Sequence, residues 1–420
     1  LSDRRRELDV RIVDAIERVH EERLAEHLDA LAMHAMRGGV WSKAYRYSVD
    51  AGNRAAAYSA HRDSVAHYLR ALEALGNHEA PDGIRAEIDV RLKIRDELFV
   101  LGDIDSISAH VQAAADLARK VDDPRRLARA LLDLGAVEWA AARHLRSREM
   151  YDEALSVAET AGDPILVAMV NYRLGIAHVM LGDMKTANEA LAKSVRTLDT
   201  EEGRRLFAFG GSPFSFACTF RAWALAELGQ LAEAEAVAKS GFDNARALEQ
   251  FYSIVVSTFG YSHVLIRRGQ WEKAAEILDI GGEQLSSYGI GAPSTWLFAR
   301  RALVAARMGD AGLTDRMIAQ SLAARSLHDA FYETFLADAE LQLGRYERAA
   351  DRARQVITTG AEKSEMATVA WGSLILAEAL TGLGQGQGAE ALTALRRAEE
   401  LAKRQGLASL AQRVSALQHQ

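Results

Sequence analysis

Three histidines, His20, His27 and His34, recur every seven residues. That spacing sets side chains on one face of a helix, and imidazole is a ready metal ligand. Seven residues of helix rise roughly 10 Å, however, too far for neighbouring ligands of one ion, so the stripe reads as packing or a solvated face. HEERLAEH, starting at His20, lacks the second histidine of an HExxH metalloprotease helix, and neither a GxSxG elbow nor a phosphate-cradling GxxxxGK[ST] loop occurs. The tail GLGQGQGAEAL sets Gly384, Gly386 and Ala389 in a GxGxxA arrangement. It follows a helical pattern where a dinucleotide fingerprint needs a strand, and reads as a turn between helices. The one cysteine, Cys218, has no histidine near it in sequence and reads as a buried thiol. We therefore assign no catalytic residue, no cofactor-binding residue, no metal ligand and no cofactor.

The residue types that remain suit binding. Tyr172, Trp223, His263 and Arg267 lie ten, six, six and two residues before glycines that end helices, steps that hold them on one helix face. Together with Trp296 they are expected to line the inner groove of a curved helical array, where peptides or small ligands are recognised. Trp41 and Trp271 directly follow turn positions and are expected to pack there.

Positioning those residues is the task of the rest of the chain. Its 420 residues exceed the size at which one compact core keeps growing. Only five prolines and 49% apolar residues, with runs such as ALLDLGAVEWAAARHL and no alternating Val, Ile and Thr blocks, indicate an all-α class. Net charge is −7 and the basic residues form no face, which argues against nucleic acid. A single cysteine excludes an internal disulfide framework, and no apolar run is read as approaching the roughly 18 residues that cross a bilayer. The opening LSDRRREL has no signal-peptide pattern; a cytoplasmic fragment of a longer protein, without membrane partners, is expected.

A ladder of glycines organises the chain: Gly39, Gly102, Gly182, Gly229, Gly269, Gly309, Gly344 and Gly384. From Gly102 the steps are 80, 47, 40, 40, 35 and 40, the first being two periods whose middle turn falls at Ala142. Seven residues before each glycine stands a small residue (Ala32, Gly175, Ala222, Ser262, Ala302, Ala337, Ala377), with Arg95 the exception. Five residues after stand Ala44, Ala187, Ala234, Ala274, Ala349 and Ala389, with Ile107 and Thr314 as exceptions. Small residues on both sides of a turn let two antiparallel helices approach closely. Pro81, Pro124, Pro164, Pro213 and Pro293 mark helix starts between hairpins. The fold predicted is a right-handed superhelical array of antiparallel helix hairpins with a period near forty. Residues 1–76 would form hairpins joining an upstream domain, 77–406 the repeats and 407–420 a capping helix.

The step of 47 holds a surplus of seven residues, in EEGRRLFAFGGSPFSF. Gly210, Gly211 and Pro213 stop one helix and Ser212 caps the next. The phenylalanines of the Phe207–Phe220 stretch are expected to fold inward as a seam between hairpins.

VNYRLGIAHVMLGDMKTANEALAKSV resembles the tetratricopeptide pattern through Leu174, Gly175, Gly182, Ala187 and Leu191. The pieces LAEHLDALAMHA, GGVWSKA and SAHRDSVAHYLRAL resemble the start of the C-terminal repeat region of bacterial adenylate/guanylate cyclases that carry an AAA or STAND-type ATPase. That resemblance implies a non-catalytic interaction or sensor module, regulating upstream ATPase and cyclase domains in cyclic-nucleotide signalling. Its partner would be a protein or peptide segment, the upstream domains of its own chain, or a small effector. Large ATP-dependent transcription activators share such hairpins, so an effector-binding repeat domain of one of these is the alternative.

Overall fold

The computed structural model describes residues 2–78, 82–208, 210–288, 292–324, 329–386 and 388–419. Among the described residues the chain is helical throughout, without strands; one isolated bridge pairs Ala208 with Gly211. Every glycine of the ladder has a positive φ, from 68° at Gly39 to 88° at Gly182, and Ala142 takes the same conformation at 55°. The cause is local: the Gly182 amide reaches back to the carbonyls of His178 and Val179, closing the helix with a left-handed residue. Helix starts are equally legible. Asp163 and Ser212 accept from the amides of Leu166 and Ser215, and Pro164 and Pro213 open the helices they cap. Pro81 lies outside the described residues.

The chain forms two compact units. The first comprises Leu1–Val137 and Ser156–Gly162. Its helices pack in antiparallel pairs whose core is largely alanine, with Ala32, Ala35 and Ala44 wholly buried. Arg95, the misfit among the small residues, is 4% exposed, and its Nη2 lies 3.1 Å from the wholly buried Asp133, which Arg129 also engages at 3.1 Å. An ion pair thus takes the place that close helix contact fills elsewhere. The histidine stripe departs from its expectation: residues Glu21–His27 tighten into a kinked 3₁₀ segment, so His20 and His27 do not share a straight helix face and their rings meet at 4.0 Å. His34 turns instead to Asp9, at 2.7 Å. No cluster of three potential metal ligands occurs among the described residues.

The second unit comprises Glu138–Leu155 and Asp163–Gln420. Six of its helices are the first members of hairpins and form an inner row: Pro164–Leu181, Pro213–Glu227, Phe251–Arg267, Ala292–Arg307, Asp329–Gln342 and Met366–Gly382. The first is long and apolar enough to cross a membrane, contrary to the sequence expectation that no run approaches that length. It is apolar all round because it is enclosed by other helices, with Ala168, Ala177 and Val170 at or near zero exposure. Another departure is Ala389, which is exposed, because the GQGQG turn delays the next helix to Ala389–Gln405; Ala391 and Ala394 are buried in its place. The GxGxxA residues lie around this turn.

The Phe-rich stretch divides. Phe214, Phe216 and Phe220 are buried, while Phe207 is 62% exposed; Phe209 lies outside the described residues. Cys218 is buried among Ala168, Leu198 and Phe214, and burial pushes its thiol up to about 12, so it is inert.

Candidate functional site

The inner helices of the second unit repeat a register. Thirteen residues before the turn glycine stand Phe216, Trp296, Phe331 and Trp371; nine before, Phe220, Arg300, Phe335 and Ile375. Six before stand Trp223, His263, Asp338 and Glu378, and two before, Glu227, Arg267 and Arg307. Steps of four, three and four keep these positions on one face. They gather aromatic and charged side chains, while Gly260, nine before its turn glycine, lies against the Thr219 backbone of the neighbouring inner helix.

Glu227 is the centre. Its side chain is 2% exposed and accepts from His263 Nε2 at 2.8 Å, from Arg267 Nε at 2.9 Å and from Trp371 Nε1 at 3.1 Å. Burial by itself would raise the carboxyl, but the Arg267 guanidinium and the His263 hydrogen bond outweigh it and hold Glu227 at about 2. Burial, only partly offset by Glu227, lowers His263 to about 4, with Arg267 and Arg300 adding to the effect; the imidazole is neutral and donates from Nε2. The Arg267 guanidinium also lies over the Trp371 ring, 3.8 Å from its centroid.

Trp223 lies between this polar centre and an aromatic wall, its ring tilted 5.1 Å from His263 and 4.4 Å from Phe331. Arg300 is wholly buried within that wall. On the other side Asp338 is gripped by Arg413 at 2.7 and 2.9 Å, and Arg413 also forks onto Glu378 at 2.8 and 2.6 Å. Burial would raise Asp338, yet Arg413 brings it to about 2. Between Glu227, Arg267, Asp338, Trp223, Phe331 and Trp371 remains a cavity of about 30 Å³, room for about one or two waters. A wider cleft of about 810 Å³ opens nearby, with Gly182, Lys185, Gln230, Lys403, Arg404 and Gln405 among its lining.

The five residues singled out from sequence fall as follows. Trp223, His263 and Arg267 come together around Glu227. Tyr172 is 3% exposed and sits one step away, against Phe216 at 6.1 Å; burial raises its phenol to about 12. Trp296 is half-buried between Phe259 at 4.9 Å and Tyr332 at 5.1 Å. Sequence reasoning missed Glu227, Arg300, Phe335, Asp338 and Trp371. Their common distances from the turn glycines were the available signal.

Among the described residues, Glu227, His263, Arg267 and Asp338 are each matched to a partner. The arrangement sets oriented polar groups beside aromatic faces.

No family model and no curated protein matches the sequence. Solved structures do match in fold. A Rap protein complexed with competence and sporulation factor superposes with a TM-score of 0.62 at 13% identity, over 88% of this chain and 99% of that one. The apo quorum sensor NprR from B. thuringiensis gives 0.55 at 13% identity, over 85% and 98%. The Rap conjugation gene regulator of plasmid pLS20 with the Phr* peptide gives 0.55 at 12% identity, over 88% and 97%. The fold is a tetratricopeptide-like helical repeat. At such identities the likeness speaks for architecture alone.

Proposed function

We propose that this chain is a non-catalytic recognition module whose second unit binds a peptide segment on the inner register of its repeats. The observation that carries the reading is the convergence of Trp223, Arg267, Phe331 and Trp371 from four inner helices on one cavity, with His263 behind them on Glu227. Large aromatic faces with a few oriented polar groups are what peptide grooves use. Two of the structurally similar proteins were solved with competence and sporulation factor or the Phr* peptide bound, which supports the same use of the fold here.

The cyclase resemblance supplies the finer reading: a cytoplasmic sensor whose ligand shifts the activity of ATPase and nucleotidyl cyclase domains through differential affinity for their two states. An effector-binding domain of an ATP-dependent transcription activator is the alternative. Metal-binding aspartates of a cyclase encoded upstream would favour the first, and a helix-turn-helix the second.

Thermal-shift measurements with peptide and metabolite collections test the binding reading, with Trp223→Ala as control. Peptides that raise the melting temperature of the wild type should lose that effect in Trp223→Ala. Equal shifts in both proteins would remove Trp223 from the site, and turnover of any nucleotide by this chain alone would refute the non-catalytic assignment.

A further inference from the structure

Arg300 differs from three other inward-facing cations among the described residues. Arg267 has Glu227, Arg413 has Asp338 and Glu378, and Arg95 has Asp133. Arg300 has 0% exposure and no carboxylate partner among the described residues. Nη1 makes one long bond, 3.4 Å, to the carbonyl of Trp296 on its own helix, while Nε and Nη2 reach no acceptor. Four aromatic rings surround the guanidinium, with centroids at 4.6 Å (Phe335), 5.3 Å (Trp223), 5.4 Å (Phe331) and 5.6 Å (Phe259).

Ring faces attract a cation but do not replace lost hydration and hydrogen bonds. Burial accordingly pulls Arg300 down to about 9, partly offset by Tyr332, with Arg267 adding repulsion. The unmatched atoms, Nε and Nη2, form the edge of the guanidinium that grips both oxygens of a carboxylate. The same edge does so elsewhere in this chain: Arg126 on Asp89 at 2.7 and 2.6 Å, and Arg354 on Glu390 at 2.8 and 3.0 Å.

We propose that Arg300 anchors a carboxylate carried by the peptide that this unit binds. The proposal rests on the peptide-binding reading and adds the chemistry of the ligand. Trp223, Phe331 and Phe335 wall both the Arg300 cage and the small cavity beside Glu227, so the carboxylate would reach Arg300 by displacing the two phenylalanine rings. Glu227 and Asp338 already line that cavity as anions, which favours a single negative charge over a phosphate dianion.

The test compares melting temperatures of the full chain and its Arg300→Met and Arg300→Lys variants. The probes are three random pentapeptide pools, all N-acetylated, and inorganic phosphate. The first pool has a free C-terminus and no acidic side chains, the second is amidated with one glutamate, and the third is amidated and free of acids. We expect the first or second pool, or both, to raise the wild-type melting temperature above the third, the effective pool naming the source of the carboxylate. Arg300→Met should fold, melt higher than wild type by roughly 2–4 °C because a buried unmatched charge is gone, and respond equally to all pools. Arg300→Lys, lacking the fork, should respond weakly. An equal response of the wild type to all pools leaves peptide binding standing and overturns the carboxylate assignment. No response to any pool removes both. A larger wild-type shift with phosphate, an unchanged preference in Arg300→Met, or an Arg300→Met protein that melts well below wild type would also overturn it, the last by making Arg300 a structural cation.

Discussion

Glu227 and His263 show how one buried pair sets a pH response. His263 titrates near 6.5 when exposed and near 4 in the folded chain, so the unfolded chain binds more protons between those values. Stability from this group is therefore complete above about pH 6.5 and falls as the pH drops toward 4, by up to about 3 kcal/mol. Glu227, at about 2 against 4.5 unfolded, adds a second loss from about pH 4.5 downward. Urea titrations at pH 7, 5.5 and 4.5 should show a clearly shallower decline for His263→Gln than for the wild type. Matching slopes would mean that this imidazole is not buried neutral. Glu227 and Arg300 were missed in sequence because an isolated Glu or Arg in an alanine-rich helix has the composition of a solvated face. Trp223, four residues before Glu227, was noticed because tryptophan is rare.

At the scale of elements, the turn glycines do two separate jobs. All need the left-handed conformation, but only some also touch another part of the second unit. A Cβ at Gly182 (φ 88°) would lie 2.8 Å from the Ala367 backbone nitrogen and 2.9 Å from the Gln405 side chain, whereas at Gly309 (φ 80°) it would meet nothing within 4 Å. Gly309→Ala should cost about 1–2 kcal/mol from backbone strain alone. Gly182→Ala should cost about 2 kcal/mol more, because backbone must shift at the contact. Chemical denaturation of the two variants reads the difference, and equal costs would show that the Gly182 turn and Ala367 are not packed together. The hairpin pattern itself was visible in the chain, since αL caps demand glycine and close helix contact demands alanine. Where the register slipped, at Ala389, a longer turn had altered the count. The kink at Glu21–His27 had no proline or glycine to announce it.

At the scale of the second unit, the end of the chain comes back to the first inner helices. His144 bonds Glu365 at 3.1 Å across 221 positions, Trp371 bonds Glu227 across 144, and Ser409 reaches the Ala226 carbonyl at 3.0 Å across 183. A linear array whose hairpins touch only neighbours can unfold in pieces; these long-range bonds couple its ends. Arg413 in turn binds the final helix Ala408–Gln418 to the Asp338 and Glu378 helices. Arg413→Ala leaves two buried carboxylates without their cation and should cost about 3–5 kcal/mol. Hydrogen exchange should then show residues 366–418 opening before the rest of this unit, and Asp338→Asn with Glu378→Gln should restore part of the loss. Uniform protection in Arg413→Ala would show that the returning segment is held by apolar packing alone.

The chain by itself determined what depends on near neighbours: helix starts at capped prolines, left-handed turns at glycines, and the small residues that let paired helices meet. These follow from backbone geometry and from contacts a few residues apart. Only the tertiary structure decided which charges lie inside, that Glu227 collects three donors from two other helices, and that Arg300 sits among rings without an anion. Those outcomes depend on where residues tens of positions away, and for Trp371 144 positions away, come to rest, and desolvation, which sets the value of each charge, is a property of that packed surrounding and not of local spacing.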